Sequence, residues 1–75
     1  MTLDTCVPNA YYRILCVKGN QEFQQQLYLL GFWENEKIRC VFTAPSGDPI
    51  AFEIKGSVMA LRKSQLKQIH VLQDV

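Results

Sequence analysis

Seventy-five residues make one small domain, residues 1–75, and 48% hydrophobic content is too rich for a disordered chain. A net charge of +1, with most of its eight Lys and Arg scattered, lacks the clustered basic face of a nucleic-acid binder. Three cysteines, Cys6, Cys16 and Cys40, form no even set and no close pair in sequence, which argues against a disulfide framework or a zinc site.

The first twelve residues, MTLDTCVPNAYY, carry an acidic residue and no apolar core, unlike a signal peptide. The longest apolar run, Tyr28 to Trp33, is broken by Gly31 and is far too short to cross a bilayer. A reduced, cytoplasmic protein with no direct membrane insertion is expected.

The first strand is predicted over Tyr11 to Lys18, with Tyr12, Ile14 and Cys16 alternating inward. Gly19-Asn20 breaks the pattern, and Asn20 is a natural N-cap for a helix over Gln21 to Leu30. Phe23, Leu27 and Leu30 make its apolar stripe, and Gly31 is placed for a left-handed C-terminal cap. From Lys37 the period returns to two. Ile38, Cys40, Phe42 and Ala44 share one face, followed by Ile50, Phe52 and Ile54, then Met59 and Leu61, then Ile69 and Val71. Gly56-Ser57 reads as a tight turn, and Arg62 to Lys67 has room for one helical turn at most. One strand, one short helix and four more strands predict a mainly β fold, a small, partly open barrel.

The stretch Pro45-Ser46-Gly47-Asp48-Pro49 tests for an enzyme. A phosphate-gripping loop needs several glycines and must open a helix. Here one glycine lies between two strands, and each proline removes an amide. The stretch reads as a hairpin turn, with Gly47 supplying the permissive backbone and Asp48 bonding back to nearby amides. His70 stands alone on the last strand and is expected to face solvent. Cys16 and Cys40 read as core filler, and no carboxylates pair for acid–base work. No catalytic residue, metal ligand or cofactor site is expected.

Two apolar residues stand off the helix stripe. Leu29 lies about 100° around the axis from its neighbours, and Trp33 follows the cap by two residues. Trp33 is either a lid folded on the end of the barrel or an anchor for a partner. The partner surface expected from this is Leu29 and Trp33 together, bordered by Tyr28, with Gln25 on a polar rim.

Leu27-x-x-Leu30-Gly31-Phe32, Ala44-Pro45-x-Gly47-Asp48-Pro49-Ile50, Ala60-Leu61-Arg62-Lys63 and Ile69-x-Val71 follow one another with a spacing that resembles the FeoA family. These are small cytoplasmic proteins of bacterial ferrous iron uptake. The resemblance implies an SH3-like β-barrel of about five strands, with a helix inserted after the first. It also implies a non-enzymatic accessory of FeoB, the membrane iron transporter with a cytoplasmic GTP-binding domain, recruited by it to the inner face of the membrane. The runner-up is the related SH3-like domain at the end of iron-dependent repressors. A chain that starts at Met1 without DNA-binding helices favours the free-standing protein. A peptide-binding SH3 module needs an aromatic groove, and Tyr11, Tyr12 and Tyr28 are dispersed. The chain departs from the family where Glu34-Asn35 replaces Pro-Gly, where Asn9 replaces glycine, and where Gln25 and Gln26 replace basic residues. Leu29 also replaces a charge, which favours an apolar partner contact over an ionic one.

Overall fold

The computed structural model describes residues 1–74. Five antiparallel strands, β1 (Tyr11–Val17), β2 (Lys37–Thr43), β3 (Ile50–Ile54), β4 (Ser57–Leu61) and β5 (Ile69–Asp74), form one sheet in the order β4-β3-β2-β1-β5. Helix α1 (Gln21–Leu29) is inserted after β1, and a single turn, α2 (Lys63–Leu66), joins β4 to β5. A 3₁₀ turn, Leu3–Thr5, precedes the sheet. Among the described residues the terminal strands β4 and β5 do not pair with each other, so the sheet is open by hydrogen bonding, and of the partly open barrel expected only the open five-stranded sheet is seen.

The core follows the strand period until two bulges interrupt it. Tyr12 and Ile14 are buried as expected, but the β1–β5 register shifts between Ile14 and Cys16, and Cys16 is exposed. The β2–β3 register shifts between Cys40 and Phe42, leaving Cys40 buried and Phe42 57% exposed. An extra residue in one strand turns the following side chain to the opposite face. The inward placement expected for Cys16 and Phe42 is therefore corrected. Ile50, Phe52 and Ile54 line the core without interruption.

The β3–β4 connection is also shifted from expectation. Lys55 (φ 51°) and Gly56 (φ 81°) occupy the two turn positions, and Ser57 already begins β4. Two consecutive positive φ angles are what a two-residue hairpin of matching twist requires. Asn9 and Asn35, the two departures from the family's glycines, adopt φ 69°, a region asparagine tolerates better than most residues.

Leu66 of α2 is fully buried although its segment is polar. The N-terminal segment lies along the outer edge of β5. Val71 N donates to Met1 O at 2.9 Å, Thr2 bridges to half-buried His70, and Leu3 is buried. The opposite edge strand, β4, pairs only with β3 among the described residues.

Candidate partner-binding surface

Helix α1 is set by its two ends. Asn20 Oδ1 accepts from Phe23 N at 2.8 Å, satisfying one of the free amides of the first turn. At the other end Phe32 N donates to Leu27 O at 3.0 Å and Gly31 N donates to Tyr28 O at 3.0 Å. This nested pair of bonds is the Schellman arrangement, with Gly31 at φ 101° in the position that disfavours a Cβ. Phe32 and Leu27, the residues that flank such a motif by apolar contact, both belong to the buried core. Leu30 closes the helix as its C-cap and is 46% exposed, so it does not complete the expected buried stripe with Leu27. Phe23 packs against the core partly buried.

The Schellman reversal directs Trp33 back along the helix. Its Nε1 donates to Tyr28 O at 2.6 Å, and the two rings stack with centroids 5.5 Å apart, tilted by 34°. The Lys55 ammonium sits 4.1 Å from the Trp33 ring centroid, a cation–π distance. Lys55 Nζ also pairs with Glu36. The hydrogen bond from Lys55 holds the Glu36 carboxyl below its usual range. Tyr28 is 61% exposed and Trp33 41%. Trp33 is thus both folded back over the helix end and available on one side.

The expected grouping of Leu29 with Trp33 is not what the geometry gives. Trp33 and Tyr28 line a depression of about 320 Å³ with Leu15, Cys16, Gln24 and Glu34, on the β1 side of α1. Leu29, 78% exposed, lines another of about 350 Å³ with Leu27, Leu30, Gln26, Leu61 and Gln65. Tyr28 and Leu29 are successive residues and point about 100° apart around the axis, so the helix separates the two hollows. Gln25 is exposed on α1, four residues before Leu29, and borders neither hollow.

The remaining expected structural residues meet elsewhere. Gly47, at φ 89°, donates its amide to Ala44 O at 2.7 Å inside the β2–β3 connection. Asp48 makes no local turn bond through its side chain. Its Oδ1 instead accepts from Lys63 N at 2.9 Å, at the first residue of α2. Among the described residues no cluster of three or more His, Cys, Asp or Glu is placed to hold a metal ion, and no helix is long and apolar enough to cross a membrane.

A five-stranded antiparallel sheet with a helix between its first two strands places the molecule among small SH3-like proteins, an architecture it shares with solved structures. It resembles iron(II) transport protein A from Clostridium thermocellum, with a TM-score of 0.89 and 35% identity over 95% of this chain and 44% of that one. It also resembles the zinc complex of FeoA from Stenotrophomonas maltophilia, a prokaryotic SH3-domain protein suggested as a ferrous iron transport activating factor. That match has a TM-score of 0.82 and 28% identity over 95% of this chain and 88% of that one. The manganese regulator SloR shares the fold alone, with a TM-score of 0.84 and 14% identity over 99% of this chain and 34% of that one. No curated protein matches the chain significantly. The FeoA domain model matches residues 1–73, and the chain belongs to the FeoA family. It spans less than half the length of the Clostridium thermocellum protein.

Proposed function

We propose that this chain is a non-enzymatic accessory of ferrous iron uptake, acting in the cytoplasm by binding the cytoplasmic region of FeoB and modulating that transporter. Family membership supports the iron-transport part of this reading. The observation that carries the binding part is the Tyr28–Trp33 pair, two stacked aromatic rings fixed to the end of α1, Tyr28 largely exposed and Trp33 exposed on one side. Rigid, amphipathic aromatics of this kind anchor interfaces because they bury large area at little entropic cost. Leu29, in place of a charge, extends the exposed apolar surface of the same helix.

The direct test is a titration of the chain against the purified cytoplasmic domains of FeoB at low and high salt. Binding that survives high salt supports an apolar contact. No binding at either ionic strength removes FeoB from this reading.

A second reading is a regulatory SH3-like domain like those appended to metal-dependent repressors. It is favoured by the SloR likeness, which covers nearly all of this chain but a third of the regulator. Co-purification with a DNA-binding protein, and not with FeoB, selects it.

A further inference from the structure

Two of the three cysteines meet in space, 34 residues apart in sequence. The Cys6 thiol, just past the 3₁₀ turn, donates to Cys40 Sγ at 3.3 Å in the middle of β2. Both are free thiols. The contact is held by backbone on both sides. Asn9 N donates to Cys40 O at 2.7 Å, and Cys40 N donates to Ala10 O at 3.0 Å. Val7 N donates to the buried hydroxyl of Tyr12 at 2.9 Å. The segment that carries Cys6 is therefore tied to β1 and β2 immediately after it, and to β5 through Met1 before it.

The two sulfurs differ in access. Cys40 has no exposed surface, whereas Cys6 is half-buried. A small oxidant reaches Cys6 first and finds Cys40 already in place as the second thiol. A bonded pair sits at about 2.05 Å, so closure needs only a short approach of the two sulfurs.

We infer that Cys6 and Cys40 are a modification site at which a hydroperoxide drives an intramolecular disulfide, fastening the N-terminal segment to the sheet. The Cys6 thiolate attacks one peroxide oxygen. The O–O bond breaks, Cys6 becomes a sulfenic acid, and the departing hydroxide takes a proton to leave as water. Cys40 sulfur then attacks Cys6 sulfur, the S–O bond breaks, and a second water departs with the Cys40 proton. Two thiols and one hydrogen peroxide give one disulfide and two waters. Burial and the bond to Cys40 push the Cys6 thiol up to about 12, so the thiolate is scarce at neutral pH and the step is slow there.

The consequence is local. The segment that the disulfide secures is the one covering the edge of β5 and carrying buried Leu3. Oxidation ties the root of that segment, Cys6, to β2, while residues 1–5 stay held by hydrogen bonds and packing.

The experiment uses the full chain with Cys16→Ser, which removes the one exposed thiol. Hydrogen peroxide is added at pH 7 and pH 9, followed by intact mass and peptide mapping without reductant. The expected product is a monomer lighter by two hydrogen atoms, with a Cys6–Cys40 linked peptide, formed faster at pH 9. Its urea midpoint rises and returns with dithiothreitol. Adding Cys6→Ser abolishes the link while the fold persists. Sulfinic Cys6 beside an intact Cys40 thiol, or only intermolecular disulfides, overturns the inference.

Discussion

Asp48 Oδ1 accepts the backbone amide of Lys63 at 2.9 Å across 15 residues of chain. This bond joins the loop between β2 and β3 to the first turn of α2. Lys63 N is one of the amides a helix leaves without an internal partner, and Arg62, the residue before it, makes no side-chain cap bond to it. Asp48 therefore caps a helix it does not belong to. Two of the sequence elements that mark the family, the Gly47-Asp48-Pro49 loop and Arg62-Lys63, are neighbours because of it.

Replacement of Asp48 follows from that contact. Asp48→Ala leaves the Lys63 amide without its acceptor and is expected to cost about 1 kcal/mol, the usual value of a lost cap. Asp48→Asn keeps an acceptor oxygen and retains most of the stability. Urea melts of the two variants check this. Equal stability of Asp48→Ala and the parent, with lost partner binding, moves the loop from scaffold to contact surface.

Gly31 tests the helix end. Its φ of 101° disfavours any Cβ, and an added Cβ comes within 3.3 Å of Lys55 Cδ. Gly31→Ala is expected to destabilise by at least about 1 kcal/mol. It also displaces the Lys55 ammonium from the Trp33 ring, which tryptophan fluorescence reads independently of the melt. An unchanged melting temperature argues that the reversal does not depend on this residue.

The two exposed apolar groups on either side of α1 give separable binding variants. Trp33→Ala removes an anchor, and such truncations typically cost at least about 2 kcal/mol in an interface. The fold survives, because the Tyr28 carbonyl still accepts from Gly31 N. Leu29→Glu changes the other hollow. Both are expected to weaken binding to the FeoB cytoplasmic domains with unchanged melting curves. Because they line different depressions, their effects add if the partner covers both. If only one variant loses affinity, the partner lies on that side of the helix. Normal binding by both places the contact elsewhere.

Alkaline pH offers a probe of the half-buried Cys6 thiol. Cys6 has its folded value raised from 9.0 to about 12, by burial first and then by its bond to Cys40. Between those values the unfolded chain loses the thiol proton while the folded chain keeps it, so the unfolded state is favoured as pH rises. The contribution is fully present below pH 9 and disappears towards pH 12. Cys6→Ser is expected to show a shallower loss of stability over this window, measured by urea melts at fixed ionic strength under reducing conditions. Parallel curves for parent and variant count against the assignment.

What could be read without coordinates was what nearby residues decide. Asn20, Leu27 and Gly31 announce a helix by its cap, its buried residue and its exit, and all three signals act within one or two turns. The pairs Tyr12 with Ile14 and Phe52 with Ile54 alternate cleanly. The bulges after Ile14 and Cys40 were not legible, since an inserted residue leaves no mark in composition and reverses every later position on that strand. Lys55 at a positive φ hid the true turn behind Gly56. Asp48 with Lys63, and Cys6 with Cys40, are contacts between distant segments that no local pattern announces. Leu29 and Trp33 looked adjacent because both lie near the helix end, yet the rotation of successive helical residues puts them on different flanks.

The unequal treatment of the sheet's two borders limits how copies of this chain stack. Met1 and Thr2 occupy the outer side of β5, while β4 offers its outer backbone groups with no strand beside it among the described residues. Ordered growth into a fibril needs two receptive borders on every subunit, one to join and one to be joined. Here a newcomer docking along β4 finds the His70–Val71 stretch of its own second border already occupied, which disfavours continued strand-by-strand addition. Loss of the first two residues uncovers that stretch and removes this obstacle to addition.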